Sequence, residues 1–272
     1  NDKYAWRKIF DRNPLFITAA DKLKVKDYVA RLHPNIKFPT TLWEGVSASE
    51  IPEQLLKGDV VVKANHGSGW NIFIRQGKYD RQNLLSETRR WLAIDYGRRN
   101  AEWPYRKIER KLFVEEMLFE DSKPLSNEYK FYCAGGEIVY TFVRQLAPDG
   151  TRIAAVVDET GKVYSGEFNF HQLSQQVTMP DEIDSLRAAA NRLSADFDFV
   201  RCDLYLVDGK VYFSEFTLFT IGGFAKIESC ELSEVYSGAW DIRKSWFLTT
   251  PQTSWRENYR KSLLRTLDMS GS

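Results

Sequence analysis

Apolar and polar positions change period several times along this chain, and each change marks an element. Over residues 14–31 (PLFITAADKLKVKDYVAR) apolar residues recur at helical spacing, Ala19, Leu23, Tyr28 and Ala30 among them, and the run ends before the proline-bounded loop HPNIKFP. The spacing predicts one helix there, then a short extended piece at 40–43 and a helix at 48–56 closed by Lys57-Gly58. Residues 59–63 (DVVVK) are β-branched and read as a strand. That strand runs into Ala64-Asn65-His66-Gly67-Ser68-Gly69 and a second apolar run over 70–74. Helical period returns over 80–96, with Leu84, Leu85, Thr88, Trp91 and Leu92 on one side. Residues 111–118 are extended, 128–133 and 138–143 pair through the turn Ala134-Gly135-Gly136, and a helix over 181–197 precedes two more strands. The segment 254–267 reads as an amphipathic helix packed on the sheet.

The two strands after 197 carry the most telling pattern, FVRCDLYLVDGKVYFSEFT over 199–217. Alternation sets Arg201, Asp203 and Tyr205 on one face of the first strand and Phe213, Glu215 and Thr217 on one face of the second. Joined at Val207-Asp208-Gly209-Lys210, they offer Asp203, Glu215 and the Thr217 hydroxyl to a common point beside Arg201. Mg²⁺ takes a few carboxylates plus phosphate oxygens in preference to a full protein cage, so this set can hold a nucleotide's metal. A hairpin whose acids merely face solvent shows the same alternation, so other segments must decide.

Composition narrows the classes. Lys+Arg 38 against Asp+Glu 37 leaves +1, which gives no nucleic-acid footprint, although Arg106-Lys107 and Arg110-Lys111 form local basic runs. No apolar run reaches the roughly 18 to 20 residues that span a bilayer, and NDKYAWRKIF has no apolar core of a secretory signal. Cys133, Cys202 and Cys230 are too scattered for a disulfide framework or a zinc site, and a reducing cytoplasm is the simplest setting. On its strand Cys202 points away from Arg201 and Asp203, as a buried structural thiol. His33, His66 and His171 form no HxxxH or HExxH pairing, against a zinc hydrolase.

Lys63, ending a strand before a loop of small residues, gives what a phosphate needs: a cation and backbone N–H groups open to close approach. The loop lacks GxxxxGK[ST] and is no Walker A sequence. In Val114-Glu115-Glu116-Met117-Leu118 the backbone of Glu116, Met117 and Leu118 can pair with an adenine ring while Glu115 accepts from its amino group. Glu128 and Lys130 share a strand face, for ribose hydroxyls and a phosphate. The element order is a helical N-terminal segment, a small mixed lobe and a larger antiparallel sheet with helices, an α+β pattern without a βαβ Rossmann order.

DRNPLFITAADKLKVKDYV, VVKANHGSGWNI, RRWL…EWPYRKIERKLFVEEML, EYKFYCAGGEI and FVRCDLYLVDGKVYFSEFT together resemble the ATP-grasp superfamily, and within it the TupA-like proteins of polysaccharide and teichuronopeptide biosynthesis, over residues 11–224. The resemblance implies two α+β lobes clamping a nucleotide: a helical segment at 1–58, a small lobe with a glycine-rich lid at 59–118 and a large lobe with the metal site at 119–272. It implies ATP and Mg²⁺ as cofactors. Lys22 and Lys63 fall on the nucleotide-binding lysines, with His66, Gly67, Ser68 and Gly69 as the lid, Glu115, Glu116, Met117 and Leu118 as the hinge, Glu128 on the ribose and Lys130 on phosphate. Arg201 falls on the oxyanion-stabilising arginine, with Lys130 and Arg144 beside it, and Asp203, Glu215 and Thr217 fall on the metal. Thr217 stands where asparagine is common in the superfamily, and Trp70 where glycine is frequent.

The implied activity is an ADP-forming carboxylate–amine ligation through an acyl phosphate, on a uronic acid or amino acid of a surface-glycan or glycopeptide precursor, in the cytoplasm, at most peripherally attached to a polysaccharide-synthesis complex. Two rival classes remain: a glycosyltransferase using Asp196-Phe197-Asp198 as a DxD motif, and a non-catalytic nucleotide-binding subunit. The triplet follows a helical run, SLRAAANRLSA, whereas such motifs usually end an apolar strand.

Overall fold

The computed structural model describes residues 2–120, 123–147, 149–224 and 226–269. Three short helices come first: α1 (Asp2–Ile9), α2 (Leu15–Ala20) and α3 (Lys24–Leu32). The single helix predicted over 14–31 is therefore two. Asp21 lies between them in extended backbone (ψ 108°), and its Oδ1 accepts from the N–H groups of Leu23 (3.0 Å) and Lys24 (3.3 Å). A short acidic side chain that competes for local N–H groups stops a helix that apolar spacing alone would continue.

β1 (Thr41–Gly45), β2 (Val60–Ala64), β3 (Asn71–Ile74) and β4 (Leu112–Glu116) form a four-stranded antiparallel sheet in the order β1-β4-β2-β3. Between β3 and β4 run α4 (Arg81–Ala93) and α5 (Tyr96–Arg99). Asp80 caps α4, accepting from the N–H groups of Gln82 (2.8 Å) and Asn83 (3.1 Å), as expected of an acid at a helix start. Period-2 alternation divides the sheet's faces: Val60, Val62, Ala64, Leu112 and Val114 close a core against Leu84 and Trp91 of α4, while Val61, Lys63, Phe113 and Glu115 lie on the other face. The helix expected at 48–56 is instead two single turns of 3₁₀ helix, Ala48–Glu50 and Leu55–Lys57, separated around Pro52.

After a two-residue hairpin, β5 (Phe119–Glu120) and β6 (Lys123–Pro124), come β7 (Glu128–Ala134), β8 (Glu137–Leu146), β9 (Arg152–Val157), the small hairpin β10 (Glu167–Phe168) and β11 (His171–Gln172), α6 (Ile183–Ser194), β12 (Val200–Val207) and β13 (Lys210–Thr217). The five long strands make an antiparallel sheet ordered β13-β12-β7-β8-β9. Its back face buries Phe131, Cys133, Val200, Cys202 and Leu204 in one core with Leu186, Ala189, Ala190 and Leu193 of α6. Cys202 is fully buried there, and burial pushes its thiol well above the ordinary range.

α7 (Cys230–Ala239), α8 (Trp246–Thr249) and α9 (Trp255–Met269) complete the described chain. α9 was expected on the sheet, but it docks on α1 and α8: Tyr259 stacks on Phe10 (4.5 Å) and accepts from Trp6 Nε1 (3.1 Å), and Arg260 donates to the Leu248 carbonyl (2.9 Å). Within the opening stretch that lacks a signal's apolar core, Asp2–Ile9 form α1, whose buried Arg7 donates to Asp198 Oδ1 (2.7 Å) and to the carbonyls of Leu218 (3.0 Å) and Phe199 (2.9 Å). No described helix is long and apolar enough to cross a membrane.

Candidate active site

Sheet register assembles the site. Across β7, β12 and β13, Lys130 lies opposite Asp203 and Asp203 opposite Glu215; in the next rung Tyr132 lies opposite Arg201 and Arg201 opposite Thr217. On the other side of β7, Glu128 lies opposite Arg144 of β8. Directly paired residues share a face, so these charged groups converge on the side away from α6.

Phe213 is not on that face. A bulge between Asp203 and Leu204 sets Leu204 opposite Phe213 and leaves Ser214 as the extra residue, so Phe213 turns into the core beside Phe216 (4.9 Å between rings) while Glu215 and Thr217 keep the site face. Simple alternation cannot register an inserted residue.

Charges pair closely. Arg201 grips Asp203 with two bonds, Nε to Oδ1 (2.6 Å) and a terminal nitrogen to Oδ2 (2.7 Å), and reaches within 3.8 Å of Glu215. Lys130 bridges Asp203 Oδ2 (3.2 Å) and Glu128 Oε2 (2.8 Å), with Arg144 3.7 Å from the same Glu128 oxygen. Lys22 pairs with Glu215. Burial alone would raise the Glu215 carboxyl, but Lys22, Arg201 and Lys130 overcome it and hold the group down at about 2. Burial and the nearby Arg201 likewise oppose the Lys130 charge, and Asp203 and Glu128 together outweigh them, so its ammonium is held above the ordinary range.

Lys22 arrives through the helix break at Asp21. Its N–H donates to the Asn65 carbonyl (3.1 Å), and the buried Asn65 side chain donates to Asp21 Oδ1 (3.1 Å) and the Glu109 carbonyl (2.9 Å) and accepts from the Lys111 N–H (2.8 Å). Asn65 thus ties the N-terminal helices to the glycine-rich loop, a role no sequence pattern announces. In that loop His66 faces inward, its ring nitrogens meeting Asn65 Oδ1 and the Trp91 carbonyl, each at 3.1 Å. A Cβ on Gly67 would come within 2.6 Å of the Trp70 ring, so glycine there lets the indole lie across the loop. Trp70 is parallel to Trp91 (6.3 Å).

Glu115 does not stand open. It is buried against Lys63, with Lys26 at 3.4 Å, a lysine the sequence did not single out. At the end of β4, the N–H groups of Glu116 and Met117 donate to the carbonyls of Thr40 (3.0 Å) and Asp59 (3.2 Å), and Glu116 Oε1 accepts from the N–H (2.8 Å) and hydroxyl (2.9 Å) of Thr40.

Three adjoining cavities lie along the charged face of the five-stranded sheet, the first two of them also lined by the four-stranded sheet. The first, about 460 Å³, is walled by Val61, Lys63, Met117, Leu118, Glu128 and Tyr205 among others. The second, about 310 Å³, shares Lys63, Glu128 and Tyr205 with it and adds Lys22, Gly69, Lys130, Arg144, Asp203 and Glu215. The third, about 230 Å³, shares Glu215 and is lined by Ser68, Tyr96, Glu102, Tyr105, Arg201 and Thr217, together with Phe219 and Ile221. Gly69 and Ser68 thus reach different cavities from one loop. Glu102 and Tyr105 escaped the sequence reading because they sit in polar, aperiodic chain, and Tyr96 because it ends a run that reads only as a helix.

Among the described residues no three His, Cys, Asp or Glu side chains gather into a metal-sized cluster. Asp203, Glu215 and the Thr217 hydroxyl are nonetheless an all-oxygen set on adjacent strands beside a cationic cavity, which fits a hard cation completed by phosphate oxygens. The DxD triplet is divided: Asp198 is buried under Arg7 and Trp240 Nε1 (2.7 Å), while Asp196 accepts from the Tyr28 hydroxyl (2.8 Å).

A cleft between two antiparallel sheets is walled by the glycine-rich loop and floored by paired acids and cations. The model of the TupA-like ATP-grasp family matches residues 2–236, and the chain belongs to that family, with its α+β fold. No curated protein matches the chain. Solved structures similar to it include a D-alanine–D-alanine ligase from Bacillus anthracis complexed with ATP (16% identity, TM-score 0.43, covering 74% of this chain and 55% of that one). A second structure of a D-alanine–D-alanine ligase from that organism gives 17% identity and TM-score 0.47, over 81% of this chain and 66% of that one. The ATP-grasp ligase PsnB with a phosphomimetic variant of its minimal precursor, Mg and ADP gives 11% and 0.43, over 83% and 60%. The chain thus spans less than two thirds of the length of these ligases.

Proposed function

We propose that the protein is an ADP-forming carboxylate–amine ligase that uses ATP and Mg²⁺ to activate a carboxylate as an acyl phosphate. The observation that carries this reading is the cross-strand pair Asp203–Glu215, ringed by Lys22, Lys130 and Arg201 at the junction of the second and third cavities. The reading takes residues 59–118 as the small lobe with its lid, 119–272 as the large lobe, and 1–58 as the segment that delivers Lys22.

The base belongs in the first cavity, against Val61, Met117, Leu118 and Tyr205; Glu128, shared by both cavities, faces the ribose. Lys22, Lys63, Lys130, Arg144 and the Gly69 backbone surround the phosphates, and Asp203, Glu215 and Thr217 hold Mg²⁺. Bound there, Mg-ATP supplies the phosphoryl group and the metal's neutralisation of its charge. Lys22 and Lys63 rest on Glu215 and Glu115 and have phosphate oxygens as alternative partners in the same cavity. Arg201, fixed by two bonds to Asp203, presents a rigid cation to an oxyanion in the third cavity. Ser68, Gly69 and Trp70 wall the second and third cavities and exclude the water that would hydrolyse an acyl phosphate.

The carboxylate is read as a uronic or amino acid of a surface-polysaccharide or glycopeptide precursor assembled in the cytoplasm, a reading supported only by the resemblance to TupA-like proteins. Incubation with Mg-ATP and pooled uronic acids, amino acids and amino sugars, followed by mass spectrometry, tests the reaction type. ADP, phosphate and a product one water lighter than an acid plus an amine are expected. Intact ATP with a nucleoside diphosphate released from an added sugar nucleotide would instead indicate a glycosyltransferase.

A further inference from the structure

The third cavity holds a carboxylate without a counter-ion. Glu102 is 5% exposed, lines the space that Arg201 and Glu215 also line, and forms no ion pair within 4.0 Å among the described residues. It precedes the 3₁₀ turn Trp103–Lys107 but makes no side-chain bond that caps it. Its side chain accepts one long hydrogen bond, from Asn100 Nδ2 at 3.3 Å. Lys8, the cation whose field it feels, donates to the Gly222 carbonyl at 2.5 Å and lies 4.9 Å over the Phe224 ring. Burial therefore dominates, and the carboxyl is raised above the ordinary range. A buried acid at a cavity wall without a partner cation is costly unless something completes it.

The rest of the wall is shaped for the body of a small molecule. Tyr96 and Tyr105 meet edge to face at 4.9 Å, and Tyr96 meets the lid's Trp70 in the same way at 5.1 Å, so the cavity shares a wall with the loop that closes the phosphate site. Ile221 is held at φ 49°, a conformation that β-branched residues avoid and that tends to persist where the surroundings enforce it. About 230 Å³ is room for one small molecule or the end of a larger one.

We propose that this cavity is the amine's subsite and that the Glu102 carboxylate holds the ammonium group of a primary-amine co-substrate against Tyr96, Tyr105 and Phe219. The inference rests on the ligase reading above. Glu102 takes one proton from the ammonium; the freed nitrogen forms the C–N bond, the bond from the carbonyl carbon to the phosphate oxygen breaks, and phosphate leaves with that electron pair and the nitrogen's second proton. Arg201 and Glu215 mark the end of the cavity that meets the phosphates.

Hydroxylamine separates this claim from the one beneath it, because it is largely uncharged near neutrality and traps acyl phosphates as hydroxamates without an ammonium site. The pair to compare is the wild type and Glu102→Gln, whose amide oxygen can still accept from Asn100. Each is assayed for ADP release with pooled uronic and amino acids, using either hydroxylamine or a panel of glycine, lysine and glucosamine. The variant should form hydroxamate within about threefold of wild type while kcat/KM for the preferred amine falls by about 10- to 100-fold, through a raised KM and a lowered kcat together. Equal use of the amine by both proteins would overturn the assignment, and so would equal loss of hydroxamate and amine product. A wild type that forms no hydroxamate with any acid would remove the ligase reading itself, and this subsite with it.

Discussion

Asp203 and Glu215 face each other across β12 and β13, and each is matched by its own cation, Arg201 gripping Asp203 and Lys22 resting on Glu215. The arrangement is asymmetric. The guanidinium is tied by two bonds to a neighbour on its own strand, whereas the ammonium comes on the far side of a helix break and is the easier of the two to release.

Glu215→Gln removes a metal carboxylate while keeping its shape. ATP turnover should fall by at least about 100-fold, and Mg²⁺ should lose its ability to raise the melting temperature in the presence of a non-hydrolysable ATP analogue. A variant that keeps wild-type turnover would move the metal elsewhere.

Lys63→Ala leaves the buried Glu115 with Lys26 alone at 3.4 Å and removes a cation shared by the first two cavities. The ATP dissociation constant, measured by calorimetry, should rise by about 10- to 100-fold. Unchanged affinity would mean that the phosphates lie away from this lysine.

The two acids of the DxD triplet should separate cleanly. Asp198→Ala strands the buried Arg7 and should cost about 3–5 kcal/mol of stability, seen as a large drop in denaturation midpoint. Asp196→Ala removes one hydrogen bond from Tyr28 and should cost about 1 kcal/mol with turnover unchanged. Loss of turnover in a well-folded Asp196→Ala protein would favour the transferase chemistry.

Two buried acids give opposite pH dependences. Burial, reinforced by Asp198 and opposed by Arg7, raises the Asp11 carboxyl to about 7, so its contribution is intact below the ordinary value of 3.8 and is lost as pH rises through about 7. Glu215, held down at about 2, contributes fully above its ordinary 4.5 and loses that contribution as pH falls toward about 2. Asp11→Asn keeps the bond from the Phe247 N–H and should gain about 1 kcal/mol relative to wild type between about pH 6 and about pH 8. Parallel stability curves for the two proteins over that range would contradict the assignment.

What could be read from the sequence follows from what repeats. Strands with period 2 placed Asp203, Glu215 and Thr217 on one face, and β-branched runs located the strand ending at Lys63, because both signals are carried by consecutive side chains. The bulge at Ser214 was invisible because one inserted residue breaks the alternation only when paired with its partner strand. His66 reads with its loop as facing the nucleotide, but loop side chains have no period, and its two hydrogen bonds turn it toward Asn65 and α4. Glu102 had no pattern at all: the cavity it lines is completed by Phe219, Ile221 and Gly222, which come from far along the chain.

The most direct test of the central claim follows an oxygen atom. With pooled acids carrying heavy oxygen in both carboxylate positions, plus amine and Mg-ATP, an acyl-phosphate route moves one labelled oxygen from the acid into each phosphate released, and mass spectrometry of that phosphate reads it. Labelled phosphate in proportion to amide is the predicted result. Amide forming with unlabelled phosphate, or ADP appearing only with phosphate labelled from heavy water, would contradict the account.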